Sequence, residues 1–199
     1  SAMYVANGYV AEDGHLQVLS LGHGLLDDPD PIAVGNYLAI LPANEPVVYD
    51  QIEKLVAHLD LHGFINVDIK FDSRDGKFKF LDFNPRQGRS SYYTALNGVP
   101  LAAYPIEDQV LHRLDTSKAT VHANESSQKG KLWLNVTPET FARYAPDCAA
   151  KQRAMAMIAD NKYGSTLRNP DDSNPMRRIL IRHTENAFRN EFKTARRKR

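Results

Sequence analysis

The sequence predicts an α+β protein: an antiparallel sheet flanked by helices, followed by a mostly helical C-terminal region. Three observations predict it. Alternating apolar runs come in pairs about short turn sequences, Met3–Val10 with Leu16–Leu21 and Phe64–Phe71 with Phe78–Phe83. Helix-period patterns lie between and after these pairs. The charge is also split: residues 1–120 carry 9 Lys/Arg against 16 Asp/Glu, net −7, whereas residues 121–199 carry 16 against 8, net +8. The change falls in the polar stretch Asp115–Lys129. Two regions are therefore expected, an acidic β-rich one over 1–115 and a basic, mainly helical one over 116–199.

Composition bounds the rest. A chain of 199 residues with 42% hydrophobic content builds a sizeable core, and 25% charge is ordinary for a globular protein. No apolar run approaches the roughly 20 residues that span a bilayer, and no secretory leader is visible. One cysteine, Cys148, excludes an internal disulfide framework and favours a reducing, cytoplasmic setting.

In chain order, the first two strands turn about Glu12-Asp13-Gly14. Leu21–Gly35 reads as irregular, punctuated by Gly22, Gly24, Pro29 and Pro31, and Tyr37–Leu41 as extended, ending at Pro42. Asp50 with Glu53 reads as a capping box, opening a helix with Ile52, Leu55, Val56 and Leu59 on one face and Gly63 as its stop. The second strand pair follows about Arg74-Asp75-Gly76, then a helix over Leu101–Leu114. In the basic half, Lys131–Val136 is a strand and Thr137-Pro138 caps a short helix. Ala149–Asp160 is a second helix, and Asn174-Pro175 opens a long third carrying Met176, Ile179, Leu180, His183, Ala187 and Phe188 at helical spacing.

The second strand pair carries the chemistry. Ile65, Val67, Ile69 and Phe71 share one face of its first strand, and Asn66, Asp68 and Lys70 the other. In its second strand Leu81 and Phe83 share a face opposite Phe80, Asp82 and Asn84. A two-residue turn would pair Asp68 with Phe83 and mismatch the faces. A three-residue turn, Arg74-Asp75-Gly76, pairs Val67 with Phe83 and Ile69 with Leu81, and sets Asp68 opposite Asp82 and Asn66 opposite Asn84.

Directly opposed carboxylates repel each other. With the neighbouring Asn84 amide oxygen they suit a hard divalent cation that prefers oxygen, magnesium first. Asp68, Asp82 and Asn84 are thus the candidate metal ligands. Asn84-Pro85-Arg86-Gln87-Gly88-Arg89-Ser90-Ser91 comes next. Proline ends the strand, Gly88 lets the backbone pass close to a ligand, and Arg86 and Arg89 suit carboxylate or phosphate, with serine donors beside them.

Gly63-Phe64-Ile65-Asn66-Val67-Asp68, then Phe80-Leu81-Asp82-Phe83-Asn84-Pro85-Arg86, resembles the distal half of an ATP-grasp domain. Within that superfamily, Gly22-His23, Leu25-Leu26-Asp27-Asp28, Gly35-Asn36 and Arg86-Gln87-Gly88-Arg89-Ser90-Ser91-Tyr92-Tyr93 are similar to carboxylate–amine ligases of the D-aspartate ligase kind. The resemblance covers roughly residues 1–115. It implies magnesium on Asp68, Asp82 and Asn84 and Arg86 steadying an acyl phosphate, which leaves Arg89 and Ser90, the other loop donors, as the candidate cofactor contacts. The implied activity is ATP-dependent joining of a carboxylate to an amine, with an amino acid and an amine acceptor as substrates and a cell-wall precursor as a candidate acceptor. Two departures stand out: Asp82 occupies a position that usually holds glutamate, and the ATP-clamping half is not represented. The chain therefore reads as the distal part of a longer enzyme.

Plainer readings stand beside these. His58 and His62 have a zinc-compatible spacing but lack a third ligand, and His62 suits the negative end of a helix. Asp27, Asp28 and Asp30 lack the spacing of a calcium loop. One of Tyr92 and Tyr93 belongs in the core. Lys193 with Arg196-Arg197-Lys198-Arg199 suits an anionic membrane, nucleic acid or an acidic partner, but the favoured reading is a helix C-terminus stabilised through its dipole alone. The rival functions are a non-catalytic ATP-grasp-derived interaction module, and nucleic-acid binding through the C-terminal helix. No aromatic stacking platform accompanies those charges, so nucleic acid is not the expected partner.

Overall fold

The computed structural model describes residues 2–33, 35–123, 130–168 and 171–197. Residues 124–129 of the expected linker and residues 198–199 of the expected basic tail lie outside them. In chain order the elements are β1 (Ala2–Val10), β2 (Leu16–Asp27), a 3₁₀ turn (Pro31–Ala33), β3 (Tyr37–Ala43), α1 (Pro46–His58), β4 (Gly63–Asp72) and β5 (Lys77–Asn84). Then come α2 (Tyr92–Leu96), α3 (Ala103–Pro105), a π-helical turn (Ile106–Val110), β6 (Val121–Ala123), β7 (Leu132–Leu134), α4 (Pro138–Tyr144), α5 (Ala149–Ala159), β8 (Tyr163–Gly164) and α6 (Pro175–Arg197). The strands pair mostly antiparallel and helices flank them, as expected. Two compact units result, Ser1–His23 with Pro42–Gly130, and Gly24–Leu41 with Lys131–Arg199.

In the first unit the strand order is β5-β4-β1-β2, with β6 parallel to β2. Pleating separates two faces. On one, Tyr4, Ala6, Leu19, Ile65, Val67 and Ile69 pack against Val48, Ile52 and Val56 of α1. Ile52 is fully buried, a gain of about 1.5–3 kcal/mol over exposure. On the other, Tyr9 and Val18 pack against Val99 and Leu101. In the second unit β3 pairs antiparallel with β7, and β8 runs parallel to β7. Its core joins Leu38, Leu132 and Leu134 to Phe141, Ala154 and Phe192.

Several expectations are corrected. The capping box at Asp50 is absent: α1 begins at Pro46 with Glu45 as its cap, and Asp50 sits inside the helix, 2.8 Å from Lys54 Nζ. Proline at the first helical position sets the earlier start. Leu21–Gly35 is not irregular throughout, because β2 continues to Asp27. Gly24 marks packing there, since the Tyr37 ring lies 2.3 Å from where its Cβ would be. The Leu101–Leu114 helix breaks into α3 and the π turn, where buried Asp108 accepts bonds from the Tyr9 hydroxyl (2.8 Å) and the Glu12 N–H (3.1 Å). β6 and β8 are too short for alternation to reveal. Thr137 does cap α4, accepting from the Thr140 N–H at 3.2 Å. In α6 only the C-terminal part of the apolar stripe packs: Met176, Ile179 and Leu180 are exposed, while Phe192 is buried and stacks on Tyr144.

Candidate metal centre

The site lies on the β4–β5 hairpin, on the sheet face opposite α1. Asn66 pairs with Asn84, Val67 with Phe83 and Asp68 with Asp82, the register expected at this end. Nearer the turn the ladder differs. Ile69 pairs with Phe80 rather than Leu81, and Asp72 with Lys77, so the turn has four residues, Ser73 to Gly76. Gly76 adopts φ +68, the left-handed conformation that suits glycine. A bulge between Asp68 and Ile69 absorbs the offset. Leu81 is the extra residue, 58% exposed, and Phe78, Phe80 and Phe83 pack on the core.

Across β4, Asn66 faces Asn7 of β1, and Asp68 faces Val5. Asn7 and Asn66 are buried, and the Asn66 Nδ2 donates to Asn7 Oδ1 at 3.2 Å. Gly88 seats the following loop on this amide pair: a Cβ there would lie 2.6 Å from Asn66 Nδ2 and 2.7 Å from Asn7 Oδ1. The loop that carries Arg86 is thus seated on the amide pair beside Asp68, which is half-buried, while Asp82 is exposed.

Burial raises the Asp68 carboxyl above its ordinary value, the Asp82 charge raises it further, and Arg86 opposes both. The Asn84 Nδ2 donates to Asp82 Oδ2 at 2.9 Å, which leaves the Asn84 amide oxygen available as an acceptor. Two carboxylates and an amide oxygen form an all-oxygen donor set of the kind magnesium takes. Among the described residues no group of three or more His, Cys, Asp or Glu is arranged to hold a metal, so Asn84 is needed to complete this one.

Asp68, Asp82, Asn84 and Arg86 are brought together. Arg86 is exposed, its Nη1 donating to the Gln87 carbonyl at 3.4 Å. Arg89 is also exposed, whereas Ser90 is buried and accepts from the Tyr93 N–H through its carbonyl. No hydrogen bond or ion pair joins Arg89 or Ser90 to the carboxylates among the described residues. Tyr93 is the core member of the tyrosine pair, its hydroxyl 2.8 Å from the Ser20 carbonyl and 3.1 Å from that of Val5. Tyr92 is exposed. His58 Nδ1 contacts the Lys54 carbonyl and His62 Nδ1 that of Ala11, so the two rings have separate partners. The sequence reading missed Asn7, whose signal was an amide within an otherwise apolar run. It placed Lys70 on the right face without a role, two residues from Asp68 and half-buried.

A chain with this fold and site has relatives among the ligases. Over 193 residues, 97% of this chain, it is 36% identical to D-aspartate ligase of Enterococcus faecium (strain Aus0004), and it is homologous to that enzyme. The match extends the resemblance past residue 115, where the motifs faded, through the basic region. The chain spans 45% of that relative's length. No family model matches. Among solved structures, N5-carboxyaminoimidazole synthetase from Staphylococcus aureus complexed with ADP aligns with 48% of this chain and 25% of its own, at TM-score 0.39 and 13% identity. The biotin carboxylase domain of Hydrogenobacter thermophilus 2-oxoglutarate carboxylase, complexed with MgADP, ADP and bicarbonate, aligns with 57% and 25%, at TM-score 0.44 and 12% identity. No helix among the described residues is long and apolar enough to cross a membrane.

Proposed function

We propose that this chain forms the metal- and phosphate-handling part of a cytoplasmic, ATP-dependent carboxylate–amine ligase, with residues 1–115 as the distal ATP-grasp subdomain. The observation that carries the reading is the Asp68–Asp82 pair, two like charges held opposite each other beside Asn84 and Arg86. Folding tolerates such a pair at a cost, and a bound cation would offset it. Homology to D-aspartate ligase over nearly the whole chain supports the same reading and makes D-aspartate the proposed acid.

In this reading Asp68, Asp82 and Asn84 hold magnesium, which supplies charge neutralisation on the transferring phosphoryl group. Arg86 lies beside the carboxylates, where its guanidinium is suited to an acyl phosphate. The acid's carboxylate oxygen takes the γ-phosphoryl group of ATP, releasing ADP. An amine then attacks the acyl carbon and phosphate leaves, forming the amide. Arg89 is the proposed further contact to nucleotide phosphate. Ser90, being buried, serves through its backbone in placing the loop.

The test is an ADP-release assay on the full-length protein with D-aspartate and a panel of amine acceptors. Asp68→Asn should lower turnover by on the order of 10²–10³, the range for removing one electrostatic partner of a transition state. Wild-type turnover by a folded Asp68→Asn protein would overturn the assignment.

A further inference from the structure

The hairpin carries a second like-charge rung beside the first. Asp68 opposes Asp82, and two residues further along β4 Lys70 opposes Lys79 on the same sheet face. Directly opposed like charges destabilise a ladder, so folding explains neither rung.

The two lysines differ in how they are answered. Lys79 Nζ lies 2.7 Å from Asp72 Oδ2 and 2.9 Å from Asp75 Oδ2. Lys70 makes no side-chain hydrogen bond or ion pair with any described residue. It is half-buried, with Met3 of β1 facing it on one side and Lys79 of β5 on the other. Along β4 its neighbours on this face are Asp68 and Asp72. Arg74 and Lys79 take up Asp72, and the charges that act on Asp68 are those of Asp82 and Arg86. A partly desolvated ammonium without a partner is costly.

The order of these groups gives the face a direction. Asn66 opposite Asn84 marks the end from which the chain leaves toward Arg86. Asp68 opposite Asp82 comes next, and Lys70 lies beyond, toward the turn. Residues two apart on one face of a strand are separated by about 6.5–7 Å, a span that the four-carbon stem of lysine covers. An anion laid along this face would meet Arg86, a cation on the carboxylates, and Lys70 in turn.

We propose that Lys70 is a nucleotide-binding residue whose ammonium holds the diphosphate retained by ADP, on the side of the metal away from Arg86. The inference rests on the reading of Asp68, Asp82 and Asn84 as magnesium ligands in an ATP-dependent ligase. In that reading the transferring phosphoryl group meets the acid at Arg86, so the phosphates left behind extend toward the turn and Lys70. The acid, with any second carboxylate, stays at the Arg86 end. A contact to phosphates that do not transfer is made equally in the ground state and the transition state. It therefore acts on nucleotide binding and not on the chemical step.

The test uses the full-length protein and reads binding and turnover separately. In calorimetric titration with ADP and magnesium, Lys70→Met should show a Kd about tenfold or more above wild type, the scale of a lost charge-assisted hydrogen bond. The KM for ATP should rise by a similar factor, with kcat held within about threefold. Lys70→Arg should keep most of the affinity. Without nucleotide, Lys70→Met should melt no lower than wild type, because repulsion across the rung is relieved. Unchanged ADP affinity would overturn the inference. So would a fall in kcat at unchanged ADP affinity, a raised KM for the acid alone, or a lower melting temperature without nucleotide. Asp68→Asn separates the two readings: wild-type turnover in that variant removes the ligase site itself, whereas lost turnover there beside an unaffected Lys70→Met removes only the role of Lys70.

Discussion

Asp68 and Asp82 face each other across the hairpin because Leu81 is pushed out of the ladder. Counting back from the four-residue turn, an unbroken ladder would set Leu81 opposite Asp68 and turn Asp82 and Asn84 onto the α1 face. The bulge shifts the pairing by one residue and restores the carboxylates to the site face. Phe80 and Phe83, three apart, can then both reach the core.

This assignment of faces predicts how substitutions on β5 divide. Leu81→Asp should change stability by less than about 0.5 kcal/mol, as expected of an exposed position. Phe80→Ala and Phe83→Ala should each cost more, about 1–3 kcal/mol, discounted from the fully buried range because both rings are only partly covered. Urea unfolding of the three variants provides the measurement. A Leu81→Asp loss as large as that of Phe80→Ala would mean that Leu81 is a core residue and the bulge does not form.

The like-charge pair makes a prediction without any assay of turnover. Asp68 is raised by burial first and by Asp82 second, so the folded state binds its proton more readily than the unfolded chain. Its contribution to stability is therefore fully present at low pH and declines as pH rises through the folded value. In EDTA near neutral pH, Asp68→Asn should melt no lower than wild type. Millimolar magnesium should raise the wild-type melting temperature and leave the variant unmoved. Equal stabilisation of both proteins would place the cation elsewhere.

The chain's pattern made the sheet, the helices and the Asp68–Asp82 pairing legible, but not the path to that pairing. The expected turn was one residue too short, and the expected ladder had no bulge. The two differences cancel at Asp68. A sign of the bulge was present: Phe78 and Phe80 keep one phase and Phe83 takes the other, yet Leu81 is apolar and masked the break. Gly88 reads as a close-approach glycine from the sequence, but its neighbours, Asn7 and Asn66, come from strands far away in sequence. Asp50 and Glu53 match a cap by spacing alone, whereas Pro46 at the first helical position sets where α1 begins.

Gly88 supplies a steric test of the loop that carries Arg86. A Cβ at this position meets two buried amides at under 3 Å, and neither is the loose end of a flexible side chain. Gly88→Ala should cost about 1–3 kcal/mol, the usual range for overpacking. It should also lower turnover of the full-length protein, since the loop must lift and take Arg86 with it. Gly14→Ala is the comparison: open space surrounds that position, so only its positive φ penalises the substitution. If Gly88→Ala left both melting temperature and turnover unchanged, the loop would not rest on the Asn7–Asn66 pair.

The far end of the hairpin gives the pH prediction. Asp72, buried, accepts two bonds from the Arg74 guanidinium, at 2.8 and 2.6 Å, one from the Arg74 N–H at 3.1 Å and one from Lys79 at 2.7 Å. Arg74 first and Lys79 second hold its carboxyl well below the ordinary carboxylate range. A lowered folded value means the unfolded state binds the proton more readily. The stabilisation is thus fully present above the unfolded value, about 3.9, and disappears as pH falls below it. Asp72→Asn should be less stable than wild type at pH 7, and the gap should close progressively in acid. These contacts also pin the four-residue turn, with Gly76 N–H bonded to the Asp72 carbonyl at 2.9 Å. Loosening them should therefore reach the other end of the ladder and weaken the magnesium response at Asp68. Urea midpoints of both proteins across the acid range, with the magnesium shift measured at neutral pH, decide it. A gap that stays constant with pH would mean that the ion pairs contribute nothing to folding, and an undiminished magnesium shift would uncouple the turn from the site.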